Sequence, residues 1–255
     1  MNIPHFSSEV TWAEAAIFWF GENESHTHIP GRNYTDVRTA YTNDGLHIRF
    51  TVIDYYLWSN NDPQPADDLT LYDAAAIYLD TNGNGGTAPQ TDDYTFLVGA
   101  RHYPTDNAPE YHRQARGTGA GWDTNWEETW TDQESMQWSN CGPNDNGCNI
   151  DYGWTAIFNI PWAALSLSGP PAEGVVWGFA VQLHDRDDNP PAGYVSPEYW
   201  PETFNANSPA TWGELHFGEA NYQPPTGTAT GTTVIRASSQ EDNTVEDAWM
   251  GGGGV

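Results

Sequence analysis

The residues from Gly153 to Asp185 constrain the fold of this chain more than any other stretch. An apolar run from Gly153 to Ile160 meets Pro161, which has no N–H for a sheet ladder and stops a strand. A short helical turn of Ala and Leu follows Trp162, and then a Pro/Gly-rich loop. A second apolar run, Val175 to Leu183, ends on His184-Asp185. Strand, proline stop, short turn, loop and strand form a pattern that no single residue supplies, and it predicts a β-rich fold.

The remainder reads the same way. Val37 to Tyr41, Asn43-Asp44-Gly45 and Leu46 to Val52 predict a hairpin, with a tight turn that needs positive φ. In its second arm Leu46, Ile48, Phe50 and Val52 alternate with His47, Arg49 and Thr51, so one face is buried and the other polar. Asp73 to Asp80, Tyr94 to Arg101, Tyr111 to Ala115 and Trp212 to Phe217 are further expected strands. Trp122, Trp126 and Trp130 sit at helical spacing, but Gly119, Gly121 and Asp123 favour a loop followed by a strand. The expected fold is all-β: an antiparallel, jelly-roll-like β-sandwich over residues 1–220. A Pro/Thr/Gly linker over 221–233 and a short C-terminal tail over 234–255 follow it. The tail is either a terminal extension or the start of a truncated second module.

Charge narrows the partners. The chain has 35 acidic residues against 8 basic ones, all Arg, for a formal net charge of −27. That field repels nucleic acid and anionic membrane surfaces and attracts cations, although adaptation to salt gives the same composition. The 13 Trp and 13 Tyr either fill a core or present flat rings to the C–H faces of sugars. Cys141 and Cys148, with six residues between them in CGPNDNGC, suit a disulfide-closed loop and an oxidising, extracellular setting; two free thiols are the rival reading. No run of 18 apolar residues exists, so membrane insertion by a helix is not expected. Met1 is followed by no signal segment, so the expectation is a mature form or a fragment.

Five segments in order resemble the family 9 carbohydrate-binding modules, β-sandwiches related to DOMON domains. They are VRTAYTNDGLHIRFTVID (37–54), YDAAAIYLDTNGNG (72–85), DDYTFLVGAR (92–101), the stretch 153–185, and PATWGELHFG (209–218). The resemblance implies a sugar clamped between two tryptophans and bonded by Glu, Arg and amide side chains. Those positions hold Thr70 and Ala206 for the tryptophans, Ala76 for the Glu and Leu97 for the Arg; Gln182 alone survives. The resemblance thus implies a retained fold and a lost clamp. Trp58, Tyr72 and Trp200 are the aromatics expected to rebuild a platform.

Two acidic stretches suit hard cations. Asp80-Thr-Asn82-Gly-Asn84-Gly places oxygens at alternate positions, with Asp92 or Asp93 to complete a shell. The resemblance adds structural calcium. A solvated Asn/Gly turn is the plain alternative. Asp185-Arg186-Asp187-Asp188-Asn189 is a second candidate, or a turn neutralised by Arg186. Asn144-Asp145-Asn146 is weaker. Arg101-His102-Tyr103 and His112-Arg113-Gln114-Ala115-Arg116 make either a basic patch for a glycan or a neighbouring subunit, or surface salt bridges. His26 and His28 have the spacing of a weak metal pair. Met136 with a His is the only haem ligation open, and nothing supports it.

No hydrolase, metalloprotease or phosphate-loop motif is present, so an enzyme is not expected. The expected function is a non-catalytic, calcium-stabilised carbohydrate-binding module of a secreted or cell-surface protein. Its partner would be a polysaccharide or other glycan. The alternative is a subunit of an extracellular sheath, surface layer or filament, in which copies of the chain meet and the tail near Val234-Ile235 adds to a neighbour's sheet edge.

Overall fold

The computed structural model describes residues 1–21, 34–101, 108–137, 142, 144, 151–188, 193 and 195–218. Cys141, Cys148, His26, His28 and the expected linker and tail, Val234-Ile235 included, lie outside the described residues. The described part falls within a compact unit, Met1–Tyr222.

The strands among the described residues are Asn2–Ile3 (β1), His5–Phe6 (β2), Ala16–Phe20 (β3), Tyr34–Thr42 (β4), Gly45–Ile53 (β5), Ala74–Asp80 (β6), Asp93–Gly99 (β7), His112–Gly117 (β8), Trp122–Asp123 (β9), Thr131–Gln137 (β10), Gly153–Pro161 (β11), Val176–His184 (β12), Glu198–Trp200 (β13) and Gly213–Phe217 (β14). They form an eight-stranded sheet in the order β1-β14-β12-β6-β7-β8-β9, with β13 also on β12. A six-stranded sheet runs β10-β11-β5-β4-β2, with β3 also on β4. Pairing is antiparallel except for β1 with β14 and β2 with β4. The chain is an all-β sandwich.

Period-two patterning fixes which face each strand buries. Leu46, Ile48, Phe50 and Val52 of β5 point inward, as do Trp154, Ala156, Phe158 and Ile160 of β11. The facing sheet contributes Ile77, Leu79, Phe96, Val98, Trp177, Phe179 and Phe217. Each large apolar side chain taken fully from water contributes about 1.5–3 kcal/mol, so this layer dominates stability. The Gly153–Asp185 stretch crosses it: β11 lies in the six-stranded sheet and β12 in the other. Between them Pro161 precedes the 3-10 turn Trp162–Leu165, and the buried Trp162 indole donates to the Thr42 carbonyl at 3.1 Å.

The hairpin forms as expected, but its turn does not use positive φ. Neither Asn43, Asp44 nor Gly45 is among the positive-φ residues. Instead the Thr42 hydroxyl accepts the N–H groups of Asp44 and Gly45 at 3.2 and 3.3 Å. Glycine is required at position 45 for another reason: a Cβ there would stand 2.4 Å from the Ile160 carbonyl oxygen. Gly45 pairs with Pro161 across the β5–β11 ladder, so the contact is backbone and cannot swing aside. Gly45→Ala is therefore expected to cost about 1–3 kcal/mol in urea unfolding, as overpacking does. An unchanged midpoint would mean that the two strands separate freely here.

Candidate functional site

The outward face of the eight-stranded sheet carries a second, smaller apolar layer. Leu69, Ala74, Ala76, Tyr78, Leu97, Ala180 and Trp212 are buried there, and Trp122, Phe204 and Ala206 pack on them. The ladder register explains the grouping. Gln182 pairs with Ala76, Ala76 with Leu97 and Leu97 with Arg113, so the four residues form one row across β12, β6, β7 and β8. Tyr78, two residues on, stands on the same face and donates its hydroxyl to Gln182 Oε1 at 3.1 Å. The indole N–H groups of Trp122 and Trp212 donate to the carbonyls of Ala206 and Asn205 at 3.2 and 2.9 Å. Their rings lie 6.4 Å apart and 4° from parallel. Thr70, Ala76, Leu97 and Ala206, the positions at which the resemblance implies a sugar clamp, thus cluster on or beside the face that holds Gln182.

A groove of about 1110 Å³ opens next to that row, lined by its Leu97 and Arg113 and by Leu69 and Thr70 beside it. Its other wall is the segment Thr124–Trp130, loop rather than helix, as the glycines around Trp122 predict. Trp126 is half-buried: it packs on the edge of the sandwich core, with ring centres 5.3 and 6.0 Å from Tyr94 and Phe96, and unlike Trp200 it also lines the groove. Trp130 is buried and stacks on His112, 4.0 Å centre to centre. The Gln114 amide donates to the Glu128 carbonyl at 3.1 Å and holds the loop against β8. The Gln114 Oε1 has no partner. The groove therefore offers the accessible part of a packed aromatic ring and a rim of carboxylates, while the Gln114 Oε1 is itself buried. Ligand pockets of comparable size are common in proteins.

Two carboxylate groups stand apart from the groove. Asp54 follows β5, Asp73 precedes β6 and Asp185 follows β12; all three are buried, with oxygens within 4.8 Å of one another. Asp73 accepts the N–H of Trp58 through one oxygen and that of Arg186 through the other, the latter at 2.8 Å. Asp54 accepts the Tyr56 N–H at 3.0 Å, and its second oxygen has no partner. Burial pushes Asp54 up to about 7, helped by Asp187, Asp151 and Glu198. Burial also holds Asp73 well above the usual carboxylate range, with Asp54 and Asp185 adding to it. Crowded, buried carboxylates need protons or a cation between them. A hard divalent cation fits this all-oxygen set.

The second group is Asp80, Asp92 and Asp93, also within 4.8 Å. Asp80 is buried and accepts the N–H groups of Gly83 and Gly85, both at 2.8 Å. Asn82 accepts the Asn84 N–H at 2.8 Å, and both asparagines are exposed. Asp80 and Asn82 of the DxNxNG loop thus close turns of the loop's own backbone. Asp93 takes the Gln90 N–H at 2.6 Å through one oxygen, while its other oxygen has no partner. Burial, then Asp80 and Asp92, push it up to about 7.

Several expected site residues lie elsewhere. Arg101 is buried, not on a glycan-facing patch. It pairs with Asp132, and its Nε stands 3.2 Å from Glu134. An isolated guanidinium cannot be buried cheaply, so the sequence supplies two carboxylates on β10 to meet it. Arg113 donates to the backbone carbonyls of Gln64, Asp67, Glu110 and His112, and Arg116 donates to that of Thr91. Neither a free basic patch nor a set of surface salt bridges results. Trp200 turns into the sandwich, 4.5 Å from Phe18, so it is no outward platform. Its neighbour Tyr199 pairs with Gln182 and is 43% exposed, on the outward side that sequence reasoning missed. Strand alternation could have found it, since Glu198, Tyr199 and Trp200 cannot all face one way. Trp58 and Tyr72 are half-buried on loops flanking Asp73. Asp185 joins Asp54 and Asp73, whereas Asp187 stays outside the trio, its N–H donating to Gly193 at 2.8 Å. Asn144 accepts the Ser59 N–H at 2.8 Å and serves as a local cap.

No protein-family model and no curated protein matches the sequence. Solved structures do. A carbohydrate-binding module of family 9 from Caldicellulosiruptor kristjanssonii in complex with glucose is similar at 16% identity with a TM-score of 0.54, over 88% of this chain and 99% of that one. A family 9 module from the same organism in complex with cellotriose is similar at 14% identity with a TM-score of 0.54, over 91% of this chain and all of that one. This chain has the fold of the family 9 carbohydrate-binding modules.

Proposed function

We propose that this chain is a non-catalytic carbohydrate-binding module of a secreted or cell-surface protein, stabilised by calcium. Glycan binds at the groove beside β8 and along the Gln182–Arg113 row. The observation that carries this reading is the groove itself: about 1110 Å³, walled by Trp126 and adjoining the row that holds Gln182. A sugar ring has an apolar C–H face and a rim of hydroxyls. It needs one flat ring to stack on and several hydrogen-bond partners around it. Trp126 supplies the first; Asp67, Asp68 and Glu110, on the wall facing the Trp126 loop, supply the second. The fold shared with modules solved with glucose and cellotriose supports the same class of ligand. The described part contains no helix long and apolar enough to cross a membrane.

Calcium has a structural role in this reading. Asp54, Asp73 and Asp185 hold one ion at the end of β5 and β12, and Asp80, Asp92 and Asp93 are a second candidate set. Both lie on loops whose conformation a bound cation would fix.

A glycan array probed with and without chelator tests the proposal. Binding to a defined set of polysaccharides, weakened when calcium is removed, is the expected result. Silence across neutral, acidic and amino glycans, in folded calcium-loaded protein, would overturn it.

A further inference from the structure

The groove is unlike a neutral sugar site in its charge. Asp67, Asp68, Glu110, Glu127 and Glu128 line it, against one guanidinium, that of Arg113. That guanidinium is committed to four backbone carbonyls, at 2.7 to 3.2 Å, and is not aimed at a ligand. His112 adds no charge at neutral pH, because burial and the nearby Arg101 hold it down to about 4. Asp67 is held ionised: the Gln64 N–H and the Asn60 amide donate to its carboxylate at 2.9 and 3.0 Å and lower its pKa. Glu127 and Glu128 are exposed on the loop that carries Trp126, directly after it in the chain. Stacking needs only a flat C–H face, which all common pyranoses have. Selection must then come from what surrounds the ring.

We propose that the groove selects polysaccharides bearing free amines, such as glucosamine polymers, over neutral glycans and against uronic acids. The inference rests on the groove being the glycan site. A protonated amine on each ring meets a carboxylate whichever way the chain runs, because carboxylates line both walls. A uronic acid meets like charge with no free cation to pair with. The chain's net charge of −27 works in the same direction, drawing a polycation in from a distance.

The test uses the full chain, calcium-loaded, titrated with glucosamine hexamer, N-acetylglucosamine hexamer, cellohexaose and oligogalacturonate at a pH where the amine is charged. The expected result is at least tenfold tighter binding of glucosamine hexamer than of either neutral hexamer at low salt. That margin should shrink toward parity at high ionic strength, and oligogalacturonate should bind weakest. Glu127→Gln with Glu128→Gln should remove most of the margin while leaving the neutral hexamers unaffected. Equal binding of amino and neutral hexamers would overturn the inference and leave the carbohydrate-binding reading standing. No binding of any hexamer would overturn both. Neutralising carboxylates outside the groove, with Asp44→Asn and Glu173→Gln, controls for bulk charge. If that pair removes the margin as effectively as the groove pair, the groove is not the selector and the inference fails.

Discussion

Arg101→Ala is expected to lower the unfolding free energy by about 3–5 kcal/mol, among the largest effects of any single substitution in this chain. Arg101 follows β7 in one sheet, while Asp132 and Glu134 stand on β10 of the other, so the cluster ties the two layers together. All three side chains are at most 1% exposed. The Arg101 N–H also donates to Glu134 Oε1 at 3.1 Å, and His112 lies 2.6 Å from Asp132. Removing the guanidinium strands two buried carboxylates. Burial already pushes Glu134 up to about 8, and Arg101 is what opposes the rise. Urea unfolding measures the loss. The triple variant Arg101→Met, Asp132→Asn, Glu134→Gln should recover part of it, since it leaves no unpaired charge. A loss below about 1 kcal/mol for Arg101→Ala would mean that the cluster behaves as an exposed ion pair.

Calcium removal, on the proposed function, is the second large effect expected. A ligand bound only by the folded state stabilises by about 2.7 kcal/mol at a hundredfold excess over its dissociation constant. Chelation should therefore lower the melting temperature by several degrees, and Asp73→Asn should abolish the calcium-dependent shift. Asp73 also accepts two backbone N–H groups, so Asp54→Asn is the cleaner variant: one of its oxygens has no partner to lose. The pH dependence has a definite sign. Asp54 is raised to about 7, against about 3.9 in an unfolded chain. The folded, metal-free protein thus holds a proton that the unfolded chain releases. Its contribution to stability is full below about 4 and is lost as pH climbs through about 7. Calcium competes with that proton, so its stabilising shift should grow over the same window. Melting curves at pH 5 and pH 8, with calcium and with chelator, check both directions. A shift that is unchanged between the two pH values, or that survives both Asp variants, contradicts the assignment to this trio.

What could be read from the sequence follows from how local its physical signal is. The β4–β5 hairpin and the β11–β12 passage were legible because period-two alternation and Pro161 act over neighbouring residues. The reason for Gly45 was not, because it lies across the ladder at Ile160. The carboxylate trio was hidden for the same reason. Asp54, Asp73 and Asp185 are far apart in the chain and meet only because three strand ends converge. The DxNxNG loop drew attention instead, yet most of its oxygens close their own turns. Arg101 was read as surface because Arg usually is, while its partners stand on a strand 31 residues away. The resemblance singled out Ala76, Leu97 and Gln182 one by one, and only the ladders put them in one row. It could not place the groove, whose wall comes from the loop around Trp126 rather than from the clamp positions.

In the proposed function, glycan stacks on Trp126 in the groove beside β8. The most direct measurement is calorimetric titration of the best-binding oligosaccharide into the chain and into Trp126→Ala, both loaded with calcium. Trp126 is half-buried against Tyr94 and Phe96, so thermal unfolding of the variant is recorded alongside to verify that it is folded. The account predicts at least tenfold weaker binding in the folded variant. Unchanged affinity there would place the sugar elsewhere on the molecule and contradict the groove as its site.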